Sequence, residues 1–323
     1  MAAVTLANPL YLRLSITERC RFRCLYCAPS GPSPSAARPR LTPAEIEDVV
    51  RVLSERHGLA KVRITGGEPA ERGRDLLEIV RRLRAVNSAL ELALTTNGVS
   101  LARWAVPLAE AGLGRVNVSL DSLRRDCFEH VTGFDCLERV MAGIEAARQA
   151  GLNPVKLNTV VLRGINDQEL PRLVSFAADR GCEIRFIEMM PMGPLADRWR
   201  DLFVPLGEME RTLAGIVHRR RPHPDGPSPA RSSEITLRDG RKVTVGFITP
   251  MSHGFCSRCN RLRLAADGSL YTCLMEQPVT SLLPALRPRC DAGAIDRLLA
   301  ESLGAKSPCS QKLGVGTMTQ IGG

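Results

Sequence analysis

The feature that most constrains this chain is a sixfold alternation of short apolar runs and helix-period segments across residues 10–190. LRLSI (12–16), KVRIT (61–65), ELALTT (91–96), RVNVSL (115–120), VKLNTVVL (155–162) and EIRFIEMM (183–190) read as strands. Thr42-Pro43-Ala44-Glu45 opens the first helix, with Thr42 as N-cap, Pro43 at the first position and Glu45 three residues past the cap. DLLEIVRRL (75–83), LARWAVPLAEAGL (101–113), CLERVMAGIEAARQAG (136–151) and DQELPRLVSFAADRG (167–181) supply four more helices. Strands that alternate with helices predict an α/β fold, a parallel sheet with right-handed crossovers. Six units are too few to close the usual eight-stranded barrel. An open, three-quarter barrel or a doubly wound sheet remains, with functional groups at the C-terminal ends of the strands.

The texture changes after residue 190. Residues 219–233, RRRPHPDGPSPARSS, are rich in Pro, Gly and Arg and read as an exposed loop. EITLRDGRKVTVGFI (234–248) and RLRLAADGSLYTCL (261–274) each place Asp-Gly between alternating runs, the signature of a β-hairpin. The expected organisation is a partial barrel over residues 1–195, a connecting segment over 196–233, and a β-rich region with a Gly-Gly tail over 234–323. No run of 18 apolar residues occurs, so no membrane span is expected. The N-terminus carries no secretory pattern, and a cytoplasmic setting is the expectation.

In a reducing compartment, clustered cysteines point to metal or chemistry rather than to disulfides. Six of the 11 cysteines fall in two triplets, Cys20-Cys24-Cys27 and Cys256-Cys259-Cys273. The other five, Cys127, Cys136, Cys182, Cys290 and Cys309, read as small, mostly buried side chains. The net charge is +10 and is carried mostly by Arg, which forks well onto phosphate. Aromatics make up only 4%, too few for nucleic-acid binding by stacking, so no nucleic-acid partner is expected. An anionic nucleotide fits the charge better.

The first triplet follows the first strand directly, so three thiols share one loop at the top of the sheet. Thiolates suit zinc or an iron–sulfur cluster. A structural zinc site and a closed cubane both want four ligands. Three thiols leave one corner open for an exogenous ligand, and a zinc site with a distant fourth ligand is the alternative. In the second triplet the hairpin turn at Asp267-Gly268 folds Cys273 back towards Cys259, with a zinc knuckle using His253 as the alternative. Arg261 and Arg263 lie two apart in a strand and share one face beside that triplet. Arg13, Arg63, Lys156 and Arg185 also sit inside strands, where a cation is costly to bury. An anionic substrate would offset that cost.

Cys20-x3-Cys24-x2-Cys27 after a strand, with Tyr26 beside the last ligand and Thr65-Gly66-Gly67-Glu68-Pro69 ending the next strand, resembles the radical S-adenosylmethionine (SAM) superfamily. YLRLSITERCRFRCLYCAPS, KVRITGGEP, LTTNG, RVNVSLDS, GIND, EIRFIEMMPMG, FCSRCNRLRLAADGSLYTCL and the terminal MTQIGG together resemble the GTP 3′,8-cyclase family of molybdenum-cofactor biosynthesis. Arg21 departs from that pattern, which has Asn after the first cysteine.

The resemblance implies an incomplete (βα)6 TIM-like barrel closed by a C-terminal cluster-binding region. It implies two [4Fe-4S] clusters, one on Cys20, Cys24 and Cys27 and one on Cys256, Cys259 and Cys273. It places SAM on Tyr26, Gly67, Ser119 and Met190. It places GTP on Arg13, Arg63, Thr95, Lys156, Arg261, Leu262 and Arg263. The implied reaction takes hydrogen from C3′ of GTP by a 5′-deoxyadenosyl radical, then joins C3′ to C8. The product is (8S)-3′,8-cyclo-7,8-dihydroguanosine 5′-triphosphate. The implied partners are an electron donor such as reduced flavodoxin or ferredoxin and a downstream cyclic pyranopterin monophosphate synthase, with a homodimer left open. The alternative is another two-cluster radical SAM enzyme, such as a peptide or sulfatase modifier.

Overall fold

The computed structural model describes residues 9–28, 40–224, 228–254, 256 and 259–304. The Gly-Gly tail and Cys309 lie outside the described residues. Six strands form where the alternation places them: β1 (Leu10–Ser15), β2 (Leu59–Thr65), β3 (Glu91–Thr96), β4 (Arg115–Ser119), β5 (Val155–Val161) and β6 (Glu183–Glu188). They pair in that order and in parallel. The crossovers are helices α1 (Pro43–Arg56), α2 (Arg74–Val86), α3 (Leu101–Glu110), α4 (Arg125–Thr132), α5 (Leu137–Gln149) and α6 (Leu170–Asp179). Of these, α4 has no counterpart in the sequence reading, because eight residues are too few to show a period. The Thr42 cap of α1 forms as expected. Thr42 Oγ1 accepts from the Glu45 amide at 3.2 Å, and the Glu45 carboxylate accepts from the Thr42 amide at 2.7 Å.

After β6 come the short α7 (Trp199–Leu202) and α8 (Leu206–Ala214), then β7 (Val217–Pro222), β8 (Ala230–Leu237) and β9 (Lys242–Ile248). The second hairpin is β10 (Arg261–Leu264) and β11 (Ser269–Tyr271), followed by β12 (Thr280–Ser281), α9 (Leu283–Leu286) and α10 (Ala292–Gly304). Both predicted hairpins form, with Gly240 and Gly268 at φ +87° and +86° in their turns. The loop expected over residues 219–233 is corrected: its first residues belong to β7 and its last belong to β8. Arg219, Arg220 and Arg221 remain exposed there, as charge on an edge strand is tolerated.

The two hairpins do not form a separate layer. They extend one 12-stranded sheet at opposite edges, β10 pairing with β1 and β9 pairing with β6, both in parallel. On a flat sheet β10 and β9 would lie about 34 Å apart, seven steps of about 4.8 Å each. Arg261 and Arg263 of β10 and Thr244 and Ile248 of β9 nevertheless line one cavity. The sheet is therefore curled into an incomplete barrel, as the six-unit reading expected.

Side-chain alternation separates the two faces of this curl. Leu12, Leu14, Val62, Ile64, Leu92, Val116, Val118, Leu157, Ile184 and Phe186 are fully buried in the core, which also takes in the apolar sides of the helices. Their neighbours one residue away face inward. Cys127, Cys136 and Cys182 are buried small side chains as expected, but Cys290 is exposed. It lies just before α10, on the surface and outside the core.

Candidate active site

The inner face of the curl encloses a cavity of about 660 Å³, a size suited to a small-molecule ligand. It is lined by Arg13 of β1, Lys61 and Arg63 of β2, Thr95 of β3, Arg115 and Asn117 of β4, Lys156 and Asn158 of β5 and Arg185 of β6. Arg261 and Arg263 of β10 complete the wall. Strand register sets this grouping. Arg13 is level with Arg63 on one side and Arg263 on the other, and Tyr11 is level with Lys61 and Arg261. Lys156 is level with Asn117 and Glu183. Three guanidiniums thus stand in one row across adjacent strands, an arrangement that is unfavourable without an anion.

The electrostatics follow from that crowding. Burial, then Arg13 and Arg261, push Arg263 well below its ordinary value. Burial lowers Arg185 to about 10, with Arg63 adding to it. Burial and Arg185 bring Lys156 down to about 8, although Glu183 is its ion-pair partner. Burial brings Lys61 to about 8, with Tyr11 opposing and Arg63 adding. A polyanion in the cavity would oppose each of these shifts by favouring the charged form. Lys61, Arg115, Asn117, Asn158 and Tyr11 are lining residues that the motif reading missed. Their signal was available, since each lies two residues from an identified or lining position on the same strand.

At the mouth of the strands, Cys20, Cys24 and Cys27 line the same cavity, together with Tyr26, Gly67, Ser119 and Met190. Burial, with the charges of Glu68 and Cys27, pushes the Cys20 thiol up to about 12. Burial, with Asp121, Cys27 and Cys20, pushes Cys24 well above the ordinary thiol value. Each thiol thus feels the others, which puts the three within reach of one bound group. Tyr26 donates to Asp121 Oδ2 at 2.7 Å, and Asp121 Oδ1 accepts from the Val160 amide at 2.8 Å. Asp121 is thereby the strut that fixes the cysteine loop to the ends of β4 and β5.

The Gly66-Gly67-Glu68 turn has a structural reason. The Gly67 amide donates to Thr17 O at 2.6 Å and the Glu68 amide to Arg19 O at 2.7 Å. Gly66 has φ +144°, and a Cβ on Gly67 would stand 2.3 Å from Arg19 O and 2.6 Å from Glu18 O. The segment leading into Cys20 therefore rests on these glycines. The buried Glu68 carboxylate accepts from the Ala70 amide, Thr96 Oγ1 and the Asn97 amide at 3.0, 2.8 and 2.6 Å. This ties the turn to the end of β3. Gly67→Ala should displace the cysteine loop, cost about 1–3 kcal/mol and weaken SAM binding. Thermal melts and equilibrium dialysis with SAM check this, and wild-type SAM affinity in the variant would refute the link.

The second triplet lies near the β10 end of the row of arginines, where Cys259 acts on the charge of Arg263. The Cys259 amide donates to Cys256 O at 3.1 Å. In the β10–β11 hairpin Arg263 is level with Tyr271. The same register carried two residues further brings Cys273 back towards Arg261, two residues from Cys259. All three cysteines are half-buried. They are not among the cavity-lining residues, although Asn260, Arg261 and Leu274 are. Leu262 is fully buried on the opposite face of β10, so only its backbone can take part in binding.

The segment before Cys256 is held by Glu188 at the end of β6. Its buried carboxylate accepts from the amides of Leu206, Met251 and Ser252 at 3.0, 3.0 and 2.9 Å, and from Ser252 Oγ. Glu188→Gln replaces one acceptor oxygen with an NH2 donor that faces these donors, and should cost about 1–3 kcal/mol. Iron content after reconstitution should fall from about eight towards four per chain as the second triplet loses its support. Full iron loading would separate Glu188 from that triplet.

The donor sets can be tested against the groups they would hold. A single zinc ion needs thiolates about 3.8 Å apart, as tetrahedral Zn–S bonds of about 2.3 Å require. A cubane spreads three thiolates over three irons and makes no such demand. Three soft thiols on one loop that lines a cavity suit an iron–sulfur cluster, which Cys20, Cys24 and Cys27 would hold. Among the described residues no helix is long and apolar enough to cross a membrane.

Residues 14–177 match the model of the Radical SAM superfamily, and residues 182–311 match that of Molybdenum Cofactor Synthesis C. A GTP 3′,8-cyclase of Petrotoga mobilis is 42% identical over 265 residues, 82% of this chain and 80% of the relative. One from Moorella thermoacetica is 40% identical over 319 residues, 97% of both chains. Streptococcus suis SuiB shares the fold at a TM-score of 0.59 with 14% identity, covering 93% of this chain and 66% of SuiB. On its sequence relatives, its two matched family models and its fold, the chain belongs to the GTP 3′,8-cyclase family of radical SAM enzymes.

Proposed function

We propose that this chain converts GTP to (8S)-3′,8-cyclo-7,8-dihydroguanosine 5′-triphosphate, the first step of molybdenum-cofactor biosynthesis. The observation that carries the reading is one cavity that joins the first cysteine triplet to a wall of buried cations. When bound and reduced, the cluster of the first triplet supplies a 5′-deoxyadenosyl radical from SAM, and that of the second supplies an open iron for guanine.

The chain's own residues do the rest by placement. Cys20, Cys24 and Cys27 would hold the first cluster, and Cys256, Cys259 and Cys273 the second. Tyr26, Gly67, Ser119 and Met190 line the mouth beside the first triplet, where SAM would bind. Arg13, Arg63, Lys156, Arg261 and Arg263 would take the triphosphate, whose charge of roughly −4 suits several guanidiniums. Thr95, on the same inner face, would take the nucleoside, with the backbone of Leu262. A hydrogen transfer needs its two carbons within near-attack distance, so a rigid wall that fixes the triphosphate also fixes C3′.

The reading brings further partners with it: a reduced flavodoxin or ferredoxin as electron donor, and a cyclic pyranopterin monophosphate synthase to consume the product. A cytoplasmic setting accords with six clustered thiols that must stay reduced. The organisation into residues 1–195, 196–233 and 234–323 belongs to this reading, and the second matched family begins at residue 182, before the first of these boundaries. Anaerobic incubation with SAM, dithionite and GTP should yield 5′-deoxyadenosine and a cyclised nucleotide. Deoxyadenosine with no GTP-derived product would defeat the cyclase reading and leave another two-cluster radical SAM enzyme.

A further inference from the structure

Tyr11 stands in the middle of the cationic wall, and nothing above gives it a role. It is 9% exposed and lines the cavity. Arg63 Nε donates to its hydroxyl oxygen at 2.6 Å, and Arg13 is hydrogen-bonded to it as well. The Lys61 ammonium lies 4.8 Å from its ring centroid. Arg and Lys carry donors only, so a phenol here faces groups that cannot accept its proton. The other charged groups turned towards it are Arg261 and Arg263 of β10, Arg115 of β4 and Arg185 of β6. The nearby Glu91 is already engaged by Lys61 and Arg115, and Glu183 by Lys156.

We propose that Tyr11 is the built-in counter-ion of this cavity, a positioning residue that holds Arg63, Arg13 and Lys61 in place for an incoming polyphosphate and takes up a proton when that polyanion arrives. The proposal rests on the reading of the wall as a triphosphate site. Burial alone would push the Tyr11 phenol up, but Arg63, Arg13 and Lys61 together outweigh it and bring it to about 7. Without ligand the phenolate neutralises part of the row of guanidiniums. A bound triphosphate presents its own oxygens to the same donors. The phenolate then loses its stabilisation and is protonated.

The sign of the pH dependence follows. Binding takes up a proton, so affinity is highest below pH 7 and falls as the pH rises past the free-state value of Tyr11. A group that titrates near 7 and must be protonated in the complex weakens binding roughly fivefold between pH 7 and 8. Lys61 and Lys156, brought to about 8, act in the same direction but mostly above pH 8.

The test measures the GTP dissociation constant of reconstituted, unreduced enzyme at pH 7 and pH 8, for wild type and Tyr11→Phe. The wild type should lose about fivefold more affinity over that interval than the variant does. Parallel pH profiles overturn the proposal, since a merely structural defect weakens binding equally at both pH values. No GTP binding by the wild type at either pH overturns the triphosphate reading and this proposal together. A second readout does not depend on the variant folding. The chain has three tyrosines, and labelling their Cζ with carbon-13 reports each phenol's ionisation. One signal should titrate near neutrality without GTP and stay protonated with it. Three signals that remain phenolic up to pH 9 without GTP would overturn the assignment.

Discussion

Cys24→Ser yields no 5′-deoxyadenosine on anaerobic incubation with SAM and dithionite, whereas Cys256→Ser still cleaves SAM but makes no cyclised nucleotide. The first loss should be on the order of 10³-fold or more, because the bound group supplies the chemistry and the protein only its placement. Serine cannot substitute, since its hydroxyl ionises far above a thiol and is a poor ligand for a soft metal. Cys24 is already held well above the ordinary thiol value by burial and by Asp121, so only a bound cation can make it a thiolate. Cys256 lies outside the residues that line the cavity mouth, and its replacement leaves Tyr26, Gly67 and the first triplet untouched. Guanine then loses its anchor while the triphosphate keeps its arginines. A misplacement of about 1 Å is enough to cost about 100-fold in turnover. Deoxyadenosine and nucleotide product are read separately by chromatography. Unchanged nucleotide product in Cys256→Ser would remove the second triplet from the mechanism. Loss of both products would mean that the two triplets depend on one another to fold.

Arg263→Met should raise the melting temperature of the cluster-loaded, nucleotide-free protein while it weakens GTP binding. Arg263 is buried, level with Arg13 across the β1–β10 pairing and pushed well below its ordinary value by burial and by its like-charged neighbours. An apolar side chain of similar size at this position removes the burial cost of the charge and its repulsion by Arg13 and Arg261. For a domain of this size each kcal/mol moves the melting temperature by about 2–3 °C. In the complex the balance reverses, because a charge-assisted bond to phosphate is lost in a dry site. Truncating such a partner costs about 2–5 kcal/mol, a loss of roughly 30-fold to several thousandfold in affinity. Calorimetric melts with and without GTP test both halves. A lower melting temperature without nucleotide would show that Arg263 is structural first. Unchanged GTP affinity would take it out of the site.

Much of the barrel could be read from local signals. β1 to β6 and five of their helices fall where alternating and helical periods place them, because those periods depend on neighbours within one turn or one strand. α4 was missed because it is short. The residues 219–233 were misread because Pro, Gly and Arg describe an exposed edge strand as well as a loop. His223, Pro224 and Arg231 from that segment line the cavity, which composition alone could not show. In the candidate site, residues with a recognisable motif were found first. Tyr11, Lys61 and Asp121 carry no motif of their own and became visible only through their partners, Arg63 and Tyr26.

What the sequence determined by itself was local: six βα units, two cysteine triplets at fixed spacings, two Asp-Gly hairpins, and cations placed inside strands. What only the tertiary structure decided was which edges the hairpins join. Pairing β10 with β1 sets Arg263 beside Arg13, 250 positions away in the chain. Strand pairing is a contest among backbone hydrogen bonds that are nearly alike, and it is settled by whichever register buries the apolar face. Leu12, Leu14, Leu262 and Leu264 bury that face here, and their alternates, Tyr11, Arg13, Arg261 and Arg263, are turned inward into one cationic wall.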